Sequence, residues 1–213
     1  MRRILVLYAT REGHTRRIAG YLAAALQSRG FLPHVVDAAR LPAKLSIADY
    51  CGVILAASIH RQTHESEMTQ FVKQRLHELN SVPSTFLSVS LSQAGAQNRA
   101  ASSERSLKSA QDVQRMMDRF IADTGWRPVM TKAIAGALTY SKYNFLLRRI
   151  MKRISRKKGG DTDTSKDYEY TDWKGLDDFV KDFTTSITSS EQRDLCRPPD
   201  QWVKGRNPPS ELR

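Results

Sequence analysis

Thr10, Arg11, Glu12, Gly13, His14 and Thr15 stand between an apolar run, RRILVLYA at residues 2–9, and a segment with helical periodicity at Ile18, Tyr21, Leu22, Ala25 and Leu26. A turn that opens a helix leaves the first backbone N–H groups without partners, and the helix dipole adds partial positive charge there. Thr10 and Thr15 supply hydroxyls, and Gly13 permits close approach of a ligand to the backbone. Binding of a phosphate is the chemistry this spacing suits. An ordinary helix capped by Thr10 shares the same spacing, so the spacing alone leaves both open. Neither a P-loop (GxxxxGK followed by Ser or Thr) nor a dinucleotide-binding GxGxxG occurs in the chain.

A second device runs from Tyr140 to Lys158. Tyr143, Leu146, Leu147, Ile150, Met151 and Ile154 recur at helical spacing, with Arg148, Arg149, Lys152, Arg153, Arg156, Lys157 and Lys158 between and after them. A packed helix with a solvated basic face has this pattern, and so does a helix lying on an anionic membrane or rimming an anionic ligand. His60 and His64 are candidate acids or bases, while His34 and His77 read as structural or exposed. Cys51 and Cys196 form no CxxC pair, and no Cys/His group has zinc spacing, so neither a metal centre nor a disulfide framework is expected.

The elements that must position these residues follow from periodicity. Short, β-branched apolar runs at 2–9, 31–37, 50–57, 84–91 and 129–135 read as buried strands. Helical spacing follows them at 18–26, 41–48, 65–79, 110–124, 140–158 and 172–187. Strands alternating with helices predict βαβ units, a five-stranded parallel sheet and a three-layer α/β sandwich. Ligands on that architecture bind beyond the carboxyl ends of the strands, at the topological switch point. The Ser/Ala/Gln-rich stretch 92–109 and residues 140–165 are expected as insertions into one domain spanning 1–188, with 92–109 a loop. Residues 189–213, which carry four prolines, are expected to form a loosely ordered tail.

The chain has 213 residues, a net charge of +12 and a pI near 10. No Asp or Glu occurs between Thr124 and Gly160, a stretch with ten Lys or Arg. The charge predicts an anionic partner. No nucleic acid is expected, because no nucleic-acid motif or aromatic stacking platform accompanies it. The longest apolar runs fall well short of the roughly 20 residues that cross a bilayer, and the apolar start breaks at Thr10-Arg11-Glu12, unlike a signal peptide. With two cysteines and no disulfide framework, a cytoplasmic protein, where thiols stay reduced, is expected.

Beyond these readings, an ordered set of motifs resembles the flavodoxin-like, menaquinone-dependent protoporphyrinogen dehydrogenase family. The family's TR-(D or E)-GxT opening corresponds to residues 10–15 and its GASI-like strand end to Ala56-Ala57-Ser58-Ile59. Its FVK helix corresponds to Phe71-Val72-Lys73 and its NSxPS turn to 80–84. WRP follows at 126–128, IAGALxY at 134–140, GG-(D or E)-TDT at 159–164 and YTDW at 170–173. Residues 92–109 and the tail beyond Ser189 depart from the family pattern.

The resemblance implies FMN as cofactor, with its phosphate loop on Thr10, Arg11, Glu12, Gly13, His14 and Thr15. It implies that Ser58, Ile59 and His60 approach one side of the isoalloxazine. Ser88, Val89, Ser90 and Leu91, with Ser92, would approach the other. The activity implied is oxidation of protoporphyrinogen IX to protoporphyrin IX in haem biosynthesis, with electrons passed to a membrane quinone, menaquinone or ubiquinone. Peripheral attachment to the cytoplasmic face of the cell membrane through Tyr140 to Lys158 goes with it. Two other FMN-based readings stand beside this one: another quinone reductase fed by NAD(P)H, and a non-enzymatic electron carrier of the flavodoxin type.

Overall fold

The computed structural model describes residues 2–98, 101–157 and 160–188. The expected tail at 189–213, with Cys196, and the junction Lys158-Gly159 lie outside the described residues. In chain order the elements are β1 (Arg2–Ala9), α1 (His14–Gln27), β2 (Phe31–Asp37), β3 (Gly52–His60), β4 (Thr63–His64), α2 (Ser66–Gln74) and α3 (Leu76–Ser81). There follow β5 (Ser84–Ser90), α4 (Leu91–Gln97), α5 (Ser103–Thr124), β6 (Met130–Ala135), β7 (Ala137–Leu138), α6 (Phe145–Lys157), β8 (Tyr168–Glu169) and α7 (Trp173–Thr188).

The five expected strands form one parallel sheet in the order β2-β1-β3-β5-β6, and the short β4 folds back antiparallel on β3. The alternation of side chains along each strand sorts the core into two layers. Ile4, Val6 and Tyr8 of β1 and Ile54 and Ala56 of β3 face α1 and α7, where Ile18, Leu22, Leu26, Leu176, Phe179 and Phe183 meet them. Leu5, Leu7 and Ala9, with Val53, Leu55 and Ala57, face Met68, Phe71, Val72, Leu79 and Phe120 on the other side. Both faces are covered, which is why these strands read as continuous apolar runs. At the base of β3, a Cβ on Gly52 would stand 3.0 Å from Phe183 Cζ, so a side chain there requires the Phe183 ring to give by a few tenths of an ångström.

Several expectations change. The expected loop at 92–109 is replaced by helix over 92–97 and 103–109: α4 (Leu91–Gln97) covers its start, and α5 begins at Ser103, two turns before the apolar periodicity of 110–124 starts. The expected single helix at 65–79 breaks at Arg75, whose ψ of 20° ends α2 and opens α3. The expected helix at 41–48 reduces to one 3-10 turn, Ile47–Asp49. The basic segment begins with a 3-10 turn, Tyr140–Lys142, and becomes α-helical only at Phe145. The two-residue pairing of β7 with β8 was not expected; it folds residues 168–172 back beside the end of β6, where Tyr170 N–H donates to Gly136 O.

Candidate functional site

The chain leaves β1 for β2 on one side and reaches β3 on the other, so the switch point lies between the carboxyl ends of β1 and β3. Ala9 and Ala57 are register partners there. Residues 10–15 and 58–65, the segments that follow these ends, are thereby brought together.

Gly13 takes a left-handed conformation, φ 89°, and its N–H donates to Thr10 Oγ1 at 3.0 Å, closing the turn. Gly13, not Thr10, is the N-cap of α1, and no side chain caps the helix. The first N–H groups of α1 therefore keep their donor capacity. Thr15 in the first turn is 1% exposed, and its hydroxyl has no hydrogen-bond partner. A buried unmatched hydroxyl costs roughly 1–3 kcal/mol, so its retention at a helix N-terminus points to a ligand oxygen.

Arg11 turns away from the turn's centre. Its guanidinium pairs with Glu65 Oε2 at 2.8 Å, while Ser58 Oγ donates to Glu65 Oε1 at 3.1 Å and Glu65 N–H donates to Ser58 O at 3.2 Å. The Glu65 side chain is 4% exposed, so its charge is buried but matched on both oxygens. This carboxylate clamps the loop after β1 to the loop after β3. Glu12 is half-buried, and burial raises its carboxyl above the ordinary range, while the nearby His60 pulls it down.

His14 braces the turn from the other side. Thr171 Oγ1 donates to Ala135 O at 2.9 Å and lies 2.7 Å from His14 Nε2, so His14 holds its proton on Nε2 and donates to that hydroxyl. Burial lowers its pKa, and Trp173 meets the ring edge-on. The imidazole is thus a strut between α1 and the YTDW segment.

The β3–β4 hairpin carries the next three residues. Ser58 also reaches Ala9 O at 3.5 Å; Ile59 pairs with His64 and packs against Val113, Met116 and Met117; His60 pairs with Thr63. Arg61 and Gln62 turn the chain with φ of 49° and 68°, both left-handed in residues that disfavour it. His64 is buried against Phe86 and Phe120 and hydrogen-bonded to Ser88 Oγ at 2.9 Å. Burial pushes its pKa down to about 4. His64 is therefore a neutral core residue at pH 7, not an exposed acid or base.

The β5 end contributes mainly backbone. Ser88 and Val89 are turned into the core. Ser90 Oγ accepts from Gln93 N–H at 3.1 Å and caps α4, and Ser90 O accepts from Gly136 N–H. Leu91 opens α4 against the aromatic cluster of Tyr140, Tyr143, Tyr168 and Tyr170, and Ser92 is buried behind it.

The 3-10 turn before α6 reaches the loop of residues 10–15 directly: Lys142 Nζ donates to Glu12 O at 3.0 Å. Glu65, Lys142 and Thr171 are site residues the sequence did not single out, since their partners lie 54, 130 and 157 residues away in the chain. His34 hydrogen-bonds Tyr50 at the opposite end of the sheet, and His77 is exposed. Among the described residues no His/Cys/Asp/Glu group could hold a metal ion.

α6 splits its apolar residues. Met151 is half-buried and Ser155 buried, but Phe145 is 75%, Leu146 68%, Ile150 46% and Ile154 40% exposed, interleaved with exposed Arg149 and Arg153. Among the described residues no helix is long and apolar enough to cross a membrane.

The flavodoxin domain model matches residues 5–165. Protoporphyrinogen IX dehydrogenase (quinone) of Escherichia coli (strain K12) is 34% identical over 178 residues, covering 84% of this chain and 92% of its own. The protein of that name from Leishmania major is 31% identical over 179 residues, covering 84% of this chain and 73% of its own. Among solved structures, an NADH:FMN oxidoreductase in its apo form aligns with a TM-score of 0.52 at 12% identity, over 95% of this chain and 100% of that one, which shows the shared fold. The chain belongs to the flavodoxin domain family, and within it to the branch whose members are named protoporphyrinogen IX dehydrogenase (quinone).

Proposed function

We propose that the protein binds FMN at the β1–β3 switch point and oxidises protoporphyrinogen IX to protoporphyrin IX, passing electrons to a membrane quinone. The residues present fit the cofactor. An uncapped α1 N-terminus, the left-handed Gly13 and the unmatched, buried Thr15 hydroxyl offer donors to a phosphate. Thr10 accepts from Gly13 N–H, which leaves its own O–H as a further donor. The observation that carries the reading is that unmatched hydroxyl at an uncapped helix start, in a chain whose relatives bear the dehydrogenase name.

FMN, when bound, supplies a two-electron acceptor for the successive oxidation steps of the substrate. The chain's own residues do the positioning. Ser58, Ile59 and His60 on the β3–β4 hairpin and the backbone of Ser88 to Ser92 would flank the ring. Glu65 holds the first of these segments against the phosphate loop through Ser58 and Arg11. Glu12, its carboxyl raised by burial, keeps a proton to higher pH than an ordinary glutamate.

The exposed apolar and basic face of α6 supports a peripheral membrane role. Each Lys or Arg near an anionic leaflet contributes about 1 kcal/mol, and Phe145, Leu146, Ile150 and Ile154 supply an apolar lip for the interface. A membrane-dissolved quinone and a substrate bearing propionates both suit such a face beside the flavin site.

The test is anaerobic turnover. FMN-loaded protein is mixed with protoporphyrinogen IX and a quinone, and porphyrin fluorescence is followed. Formation well above the spontaneous rate, and dependent on quinone, is expected. No acceleration with stoichiometric FMN bound defeats the substrate assignment, and flavin bleaching by NADH would then favour an NAD(P)H-fed quinone reductase.

A further inference from the structure

Two cations beside the phosphate loop are committed to carboxylates: Arg11 to Glu65 at 2.8 Å, and Arg17 to Glu169. Lys142 is not. Its ammonium donates to the Glu12 carbonyl at 3.0 Å and stands 3.7 Å from where a Cβ on Gly13 would be. Among the described residues no carboxylate lies within ion-pair distance of it. An ammonium carries three N–H donors, and one carbonyl uses one of them.

A lone exposed lysine ordinarily wanders, because fixing its long side chain is entropically costly. Here the backbone that delivers it is rigid. Tyr140 is fully buried and Tyr143 nearly so, Lys142 N–H donates to Thr139 O, and Ser141 gives both its N–H and its hydroxyl to Asp167. Beside the ammonium is Gly13, the uncapped start of α1, and two residues further along the chain is Thr15 with its unmatched hydroxyl. The ammonium, the first N–H groups of α1 and the Thr15 hydroxyl are thus donors of three kinds on or beside residues 10–15, a set that suits an anion with several oxygens.

We propose that Lys142 is a ligand of the FMN phosphate, delivered to the loop of residues 10–15 from the segment that leads into α6. The inference rests on the FMN reading above and deepens it. It makes the cofactor's anchor part of the same segment that carries the exposed apolar and basic helix. Lys142 gives FMN an affinity increment that riboflavin, which has no phosphate, does not receive. Because the ammonium is exposed, added salt screens that increment.

The experiment titrates apoprotein with FMN and with riboflavin by quenching of flavin fluorescence, at low and high salt, in the wild type, Lys142→Met and Lys142→Arg. Lys142→Met is expected to weaken FMN about tenfold, the scale of one charge-assisted hydrogen bond, and to flatten its salt dependence. Riboflavin affinity should stay unchanged, and Lys142→Arg should retain most of the FMN affinity. Unaltered FMN binding in Lys142→Met overturns the proposal, and so does an equal loss for FMN and riboflavin, which would mark a structural role. A wild-type chain that binds neither flavin overturns the FMN reading itself and this proposal with it, a result separate from either variant outcome.

Discussion

At the residue scale, the Thr15 hydroxyl has opposite effects on stability and on binding. It is buried without a partner in the unliganded chain, so replacing it with a methyl of similar shape removes a desolvation cost. Thr15→Val is therefore expected to raise the melting temperature of the apoprotein by a few degrees, for about 1 kcal/mol, while weakening FMN about tenfold. Thermal unfolding of apoprotein and flavin titration read the two effects separately. A variant less stable than wild type would show that the hydroxyl is matched in the apoprotein, and undiminished FMN affinity would show that it does not serve the phosphate. The turn that carries Thr15 was legible in the sequence because it and the helix it opens are local. Glu65 was not legible, since its meaning depends on Arg11 and Ser58, whose approach is fixed by the pairing of β1 with β3. His64 looked like a loop histidine for the same reason: only the fold places Phe86, Ser88 and Phe120 around it.

At the element scale, the strands were legible because burial on both faces writes an unbroken apolar run into each of them. The first turns of α5 were not, because Ser103, Glu104, Arg105 and Lys108 are exposed and carry no apolar period, and its one large apolar side chain there, Leu107, is 60% exposed. α6 shows what periodicity leaves undetermined. Its apolar spacing was plain, but spacing does not say whether Leu146, Ile150 and Ile154 face the sheet or the solvent, and they face the solvent. That exposure makes a clean test possible, since a charge placed there costs the fold little. Leu146→Asp is expected to leave thermal stability within about 0.5 kcal/mol of wild type and to reduce sedimentation with vesicles of anionic lipid several-fold. Wild-type protein that binds anionic vesicles no better than zwitterionic ones would remove the membrane role from α6.

At the scale of the whole molecule, burial of histidine sets how stability depends on pH. His64 is held at about 4 by burial, and His14 is lowered in the same direction. Both titrate near 6.5 in an unfolded chain, so below that pH the unfolded state binds protons that the folded state refuses. The stability each contributes is fully present above pH 6.5 and is lost as the pH falls, for His64 down to about 4. For His64 that amounts to roughly 3 kcal/mol across the interval. Glu12 has the opposite sign, because a raised carboxyl pKa favours the folded state as the pH falls, and it partly offsets the histidines. Comparison with His64→Gln, whose amide preserves a hydrogen bond to Ser88, isolates one contribution from the others. Urea midpoints measured from pH 7.5 down to 4.5 are expected to fall more steeply in the wild type than in the variant, with the two curves converging at the acid end. Parallel curves would mean that His64 accepts its proton without loss, and hence that the aromatic wall of Phe86 and Phe120 opens to water in solution.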